Sequence, residues 1–186
     1  LIFIDGDMEL IPENFNHYYY NGKLANGSYV TGNSYDCIYK NNVLITKELY
    51  HNIIKECYKP LAGGVFFIHR DLWFRNDGMR TCFRRSHDYD FSLRMAKLGK
   101  KILFKPLPLV LHHTIPYNYL SRFNKDFLSG NFFYQVLLIK YNLFNKYIIR
   151  LIIREITLIL LMLSIILILI TSNFIYLNIY FLSILS

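Results

Sequence analysis

The stretch LIFIDGDMEL, residues 1–10, decides how the rest of the chain is read. Four apolar residues run directly into Asp5, Gly6 and Asp7. A short apolar run of this kind predicts a fully buried strand over residues 1–4. Positions i and i+2 of an extended chain point the same way, so the two carboxylates converge where the strand ends. Paired carboxylates there are costly unless something neutralises them. A divalent cation, Mg²⁺ or Mn²⁺, is the natural partner, because Mg²⁺ shares one or two carboxylates with substrate phosphates. In α/β sheets the ends of strands are also where ligands bind.

Beyond that stretch the chain divides by composition. It has 186 residues, a hydrophobic fraction of 53% and a net charge of +8. Residues 157–186 carry no charged side chain. A bilayer span needs about 20 mostly apolar residues, so residues 156–186 read as one or two transmembrane segments. Thirty residues of straight helix would measure about 45 Å. Residues 131–155 read as an amphipathic interfacial helix, with Lys140, Lys146, Arg150 and Arg154 on one third of its circumference. Positive residues ahead of the apolar tail predict a membrane protein whose catalytic part faces the cytoplasm. The basic residues form no dense run, which argues against a nucleic-acid partner. Cys37, Cys57 and Cys82 match neither a zinc spacing nor a disulfide framework, and a reducing compartment is the simplest reading.

Local patterns fill in residues 1–130. Pro12 begins a helix running towards Tyr18, and Asn21-Gly22 and Asn26-Gly27 mark turns. Residues 28–39 suggest one or two short strands. Residues 46–57 read as a helix, and residues 65–68 as a strand entered through Gly63-Gly64. Residues 88–98 form the clearest soluble helix, with Phe91, Met95 and Leu98 at helical spacing and Gly99 at the stop. Residues 102–104 form another strand, which Pro106 and Pro108 terminate.

Two further clusters carry chemistry. In Ser86-His87-Asp88-Tyr89-Asp90-Phe91 an acid at a helix start caps the first turn, or it serves as a general base beside a metal site. Arg84 and Arg85 precede it and suit a phosphate, or stand as solvated loop charges. His112-His113 follows an apolar strand, where a histidine is a packed residue or a metal ligand.

In order, FIDGDM, GGVFFIHRDLW, SHDYDFSLRMAKLGKKILFKP and LVLHH resemble the family 2 glycosyltransferases of GT-A fold, over residues 1–113. The resemblance implies a partial GT-A, Rossmann-like α/β catalytic domain over residues 1–130, followed by the amphipathic and transmembrane helices. It implies a C-terminal fragment, because that family's nucleotide-binding half lies upstream of the D-x-D motif. Asp5 and Asp7 would then bind the cation and the nucleotide-sugar diphosphate, with Asp7 the more direct ligand. Asp88 would be the catalytic base. His112 or His113 would take the place of the family's downstream histidine. His87, Asp90, Arg84, Arg85, Gly63 and Gly64 would contact acceptor or phosphate.

The implied reaction moves a sugar from a nucleotide-sugar donor to a hydroxyl of a saccharide or lipid-linked acceptor, with inversion, in cell-surface glycan or glycolipid synthesis at the membrane. His87 stands where the family has Glu, and the Q-x-x-R-W motif of processive synthases is absent, which favours transfer of a single sugar. Two other readings compete: an inactive membrane-anchored remnant, and a haloacid dehalogenase-type phosphatase with Asp5 as nucleophile.

Overall fold

The computed structural model describes residues 1–20, 23–24, 29–50, 53–116, 128–131, 133–154, 156–172 and 175. The turn dipeptides Asn21-Gly22 and Asn26-Gly27 lie outside them. The described residues fall into two units, residues 1–143 and 144–186.

The first unit is built on a mixed, nearly barrel-shaped sheet. Strand β1 (Ile2–Ile4) leads through the Asp5–Asp7 turn to β2 (Met8–Leu10) and the short helix α1 (Pro12–Phe15). The pair β3 (Tyr19–Tyr20) and β4 (Lys23–Leu24) stands apart from the main sheet. Then come β5 (Tyr29–Lys40), β6 (Val43–Leu49), β7 (Cys57–Lys59) and β8 (Val65–Ile68). Helices α2 (Arg70–Arg75) and α3 (His87–Lys97) precede the long strand β9 (Ile102–Thr114).

The two long strands organise everything else. The sheet runs β1-β8-β5-β9-β2, with β6 added to β5 and β7 added to β9. Among the described residues only β5 and β9 pair in parallel; every other ladder of this sheet is antiparallel. The Rossmann-like α/β expectation is therefore corrected. A parallel sheet needs a crossover, usually a helix, between successive strands, and here most neighbours meet as antiparallel pairs.

At the centre of the sheet, in β5, β8 and β9, both faces are buried, and successive residues sort between them. Tyr29, Phe66, Ile68, Ile102 and Phe104 face one way and pack with Phe91 and Met95 of α3. Val30, Val65, Phe67 and Leu103 face the other way, against Tyr18, Leu109 and Val110. Phe91 stacks parallel to Phe66 at 5.8 Å, and Trp73 of α2 lies between Phe91 and Phe3. Each such large side chain, once buried, contributes roughly 1.5–3 kcal/mol.

Several sequence expectations change in this frame. Strand β1 forms but is not fully buried, since Ile2 and Ile4 are each 40% exposed and its described ladder is with β8. The helix expected from residue 46 is strand β6 instead. Asn41 and Asn42 both adopt positive φ, and Lys40 pairs with Val43 across them. Two consecutive positive-φ residues are the signature of a type I′ hairpin, which commits residues 43–49 to pairing with β5.

Strand β9 does not stop at its prolines. The β5–β9 register shifts at Gly32/Asn33 and Asn33/Ser34, beside Pro106 and Pro108. Proline cannot donate to a ladder and is tolerated at such irregularities. Side chains take over the exposed carbonyls: Asn33 Nδ2 donates to Pro106 O at 2.6 Å, Asn14 Nδ2 to Pro108 O at 2.8 Å, and Tyr18 Oη to Leu107 O.

Helix α3 matches its expectation, and Gly99 follows it with φ +77°. Next, α4 (Phe133–Tyr141) completes the described part of the first unit. The second unit contains α5 (Ile148–Arg154) and α6 (Ile156–Thr171). The segment read as one amphipathic helix thus holds two helices, α4 and α5.

The membrane reading is corrected as well. Among the described residues no helix is long and apolar enough to cross a membrane. Helix α6 has 16 residues, about 24 Å at 1.5 Å per residue, against a hydrocarbon core of roughly 30 Å. It ends where Ser172 turns to φ +54°. The expected transmembrane helices, membrane localisation and cytoplasm-facing orientation rested on a longer span.

Candidate functional site

The Asp5–Asp7 turn is a strap between two parts of the sheet. At its start Ile4 pairs with Val65, and Asp5 N donates to Gly64 O at 3.0 Å. Met8 N closes the turn on Asp5 O at 3.0 Å. At its far end Met8 pairs with His112, and His113 N donates to Asp7 O at 2.8 Å. One aspartate is therefore tied to Gly64, just ahead of β8, and the other to β9.

Helix α3 delivers the third carboxylate. Asp88 Oδ2 accepts from Gly64 N at 3.1 Å, and its Oδ1 accepts from Tyr89 N at 2.8 Å. Ser86, at the N-cap, has φ +62° and makes no side-chain cap. This left-handed residue turns the chain sharply into the helix that carries Asp88. Gly63 makes room beside the carboxylate, and Gly64 makes room beside Met8. A Cβ on Gly63 would collide with Asp88 Oδ2, and Gly64 has φ +82°, a conformation that suits glycine.

The electrostatics tie these groups together. Burial pushes the Asp88 pKa above the ordinary carboxylate value, opposed by the hydrogen bonds from Tyr89 and Gly64 and by His87. Asp5 is also raised, first by lost hydration, then by the charges of Asp88 and Asp7. His87 and His112 act on Asp5 in the opposite direction. Asp5, Asp7, Asp88, His87 and His112 thus share one field.

His112 and His113 part company, because adjacent strand residues face opposite sides. His112 Nε2 lies 3.4 Å from Asp7 Oδ2, and its Nδ1 lies 2.9 Å from Asp36 Oδ1. His113 instead meets Tyr39 Oη through Nδ1 at 3.1 Å and Glu9 Oε2 through Nε2 at 3.3 Å.

The remaining sequence candidates lie elsewhere. Asp90 is fully buried and faces the interior. It pairs with Arg94 Nε at 2.9 Å and Arg80 Nη1 at 3.2 Å, and accepts from Asn142 Nδ2 at 3.0 Å. Arg94 continues to the carbonyls of Asn76 and Gly78. This is a structural node that fixes the loop leading into α3. Arg84 and Arg85 are exposed on that loop.

Sequence reasoning missed Asp36, Tyr39, Asn142 and Arg80. Asp36 alone carried a signal: a carboxylate within the strand-forming run YVTGNSYDCIYK. The three cysteines are free; Cys37 is buried and Cys82 exposed.

Among the described residues no three His, Cys, Asp or Glu side chains stand together as a ready metal cage. The donor set nevertheless suits a hard cation that takes part of its coordination from a ligand. Asp5 and Asp7 supply oxygens, and His112 Nε2 stands beside Asp7. Burial, and then the charges of Asp88 and Asp7, raise Asp5, and a cation relieves that repulsion. No protein-family model, curated protein or solved structure matches the chain.

Proposed function

We propose that the site transfers a sugar from a nucleotide-diphosphate donor to a hydroxyl acceptor, with Asp88 as general base. The observation that carries this reading is one arrangement. A half-buried carboxylate on a helix start, its pKa raised by lost hydration, is held at Gly64, whose carbonyl also anchors the D-x-D turn. The ordered resemblance of the motifs to family 2 glycosyltransferases supports the same chemistry.

Asp5 and Asp7 would hold Mg²⁺ or Mn²⁺ together with the donor diphosphate, with His112 beside them. When bound, the cation neutralises charge developing on the departing diphosphate. Asp88 accepts the proton as the acceptor O–H bond breaks and the oxygen attacks the anomeric carbon. The new C–O bond forms as the bond to the diphosphate breaks, and the diphosphate leaves with the electron pair. A base on the acceptor side gives in-line displacement with inversion. The raised pKa of Asp88 strengthens it as a proton acceptor. Its hydrogen bonds from Gly64 and Tyr89 fix its orientation.

The test is transfer by the intact protein from a panel of nucleotide sugars to saccharide acceptors, with Mn²⁺ present. The expected product has inverted anomeric configuration. A wild-type protein that binds no donor and transfers no sugar across the panel overturns the reading.

A further inference from the structure

Strand β5 places a carboxylate directly behind the site. In the parallel ladder Asp36 is the register partner of His112. The Asp36 residue is only 4% exposed, and its Oδ1 lies 2.9 Å from His112 Nδ1. A buried carboxylate needs hydrogen-bond donors, and the imidazole Nδ1–H is one. The His112 side chain is 16% exposed, so its ring is largely enclosed, and its other nitrogen emerges 3.4 Å from Asp7 Oδ2. Asp7 itself is open to solvent, with its side chain 58% exposed. The sequence is therefore buried acid, enclosed imidazole, open acid.

We propose that Asp36 is a positioning residue. It holds His112 as the Nδ1–H tautomer and presents the Nε2 lone pair beside Asp7 as a nitrogen ligand for the divalent cation. This inference rests on the cation-dependent reading of the site and deepens it. Neutral imidazole carries its proton on one nitrogen and a lone pair on the other. A metal-bound histidine almost always donates its second N–H to a carboxylate, a carbonyl or water, which fixes tautomer and ring angle. Asp36 meets that requirement from a rigid, central strand. His113, one residue on, faces Tyr39 and Glu9 and has no part in the arrangement.

Nitrogen NMR of His112 in the metal-free wild-type protein reads the first half of the proposal without any variant. In the neutral imidazole the expected result is protonated Nδ1 and bare Nε2. A neutral ring that carries its proton on Nε2 instead overturns the proposal. Mn²⁺ alone is then titrated by electron paramagnetic resonance into wild type, Asp36→Asn and His112→Ala. Asp36→Asn is expected to weaken Mn²⁺ binding by about 10–100-fold, the usual cost of losing such an outer partner, and to mix the His112 tautomers. His112→Ala should weaken binding at least as much.

Unchanged affinity and tautomer in a folded Asp36→Asn protein overturn the role of Asp36 and leave the sugar-transfer reading intact. Wild-type protein that binds no Mn²⁺ overturns the ligand role of His112. Conversely, Asp36-dependent Mn²⁺ binding in a protein that transfers no sugar supports this inference while the transfer reading fails.

Discussion

Gly64 holds two carboxylate residues at once: its N–H donates to Asp88 Oδ2 at 3.1 Å, and its carbonyl accepts from Asp5 N at 3.0 Å. A single residue thus sets the spacing between the proposed base and the proposed cation-binding turn. Asp88→Asn should reduce turnover by about 10²–10⁴-fold, the usual contribution of a general base, with donor binding retained. Steady-state kinetics and donor titration check this together; unchanged turnover removes Asp88 from the role of base.

The same substitution should make the fold more stable at neutral pH. The folded-state pKa of Asp88 is raised above its unfolded value. The folded state therefore binds more protons between those two values, and stability falls as pH rises through that window. Below the unfolded value the carboxyl is protonated in both states and no difference remains. Thermal melts of wild type and Asp88→Asn should coincide in strong acid and separate as pH rises, with the variant higher. The direction for Asp5→Asn is the same, because Asp5 is also raised. A lower melting temperature for Asp88→Asn at neutral pH would contradict the burial argument.

Gly63 and Gly64 should fail differently. Gly63→Ala pushes a methyl group against the Asp88 carboxylate, so its main effect should fall on turnover. Gly64→Ala places an L-residue at φ +82°, and a left-handed conformation costs about 1–2 kcal/mol. Chemical denaturation should show that loss for Gly64→Ala and a smaller one for Gly63→Ala.

Asp90→Ala should unfold the protein readily without touching the chemistry directly. It strips the buried partner from Arg94, whose side chain is only 13% exposed, and from Asn142. Removing one member of a buried pair costs about 3–5 kcal/mol. Denaturant midpoints measure this. In the fraction that remains folded, turnover per folded molecule should match wild type, which separates Asp90 from Asp88 two residues earlier.

Chelation gives an independent reading of the acidic turn. EDTA should abolish transfer, and Mn²⁺ or Mg²⁺ should restore it. Asp7→Asn should shift the cation concentration needed for half-restoration upward. Full transfer in excess chelator would show that Asp5 and Asp7 act without a metal.

How much of this was legible depended on range. The helix over His87–Lys97 announced itself through Phe91 and Met95 at i, i+4 and the Gly99 stop, all local signals. Strand β8 was equally plain as four consecutive buried apolar residues. The D-x-D turn and Asp88 were legible as residues, and the fold brings them together. Strand β6 was misread as the start of a helix over residues 46–57, whereas its fate is set by the Asn41-Asn42 turn and by β5. The length of β9 was hidden because proline punctuates a sequence, while the compensating Asn14, Tyr18 and Asn33 lie far away along the chain. Asp36 meets His112 only through their register in the sheet, a relationship no local window contains. The apolar tail was read by composition, and composition does not show where a helix ends; Ser172 does.

The strap from Asp5 to Asp7 also bears on when the protein becomes competent. Its two ends are hydrogen-bonded to Gly64 and His113, residues supplied by widely separated parts of the chain. The pairing of β8 and β9 with these few residues is non-local, and non-local pairing is the slow part of folding. A partly folded chain with α3 already formed would possess Asp88 but not the geometry around it. Cation affinity should consequently appear late in refolding, in step with the final sheet contacts rather than with helix formation. The site then doubles as a timer of the fold: its appearance marks the moment at which β1 has met β8 and β2 has met β9.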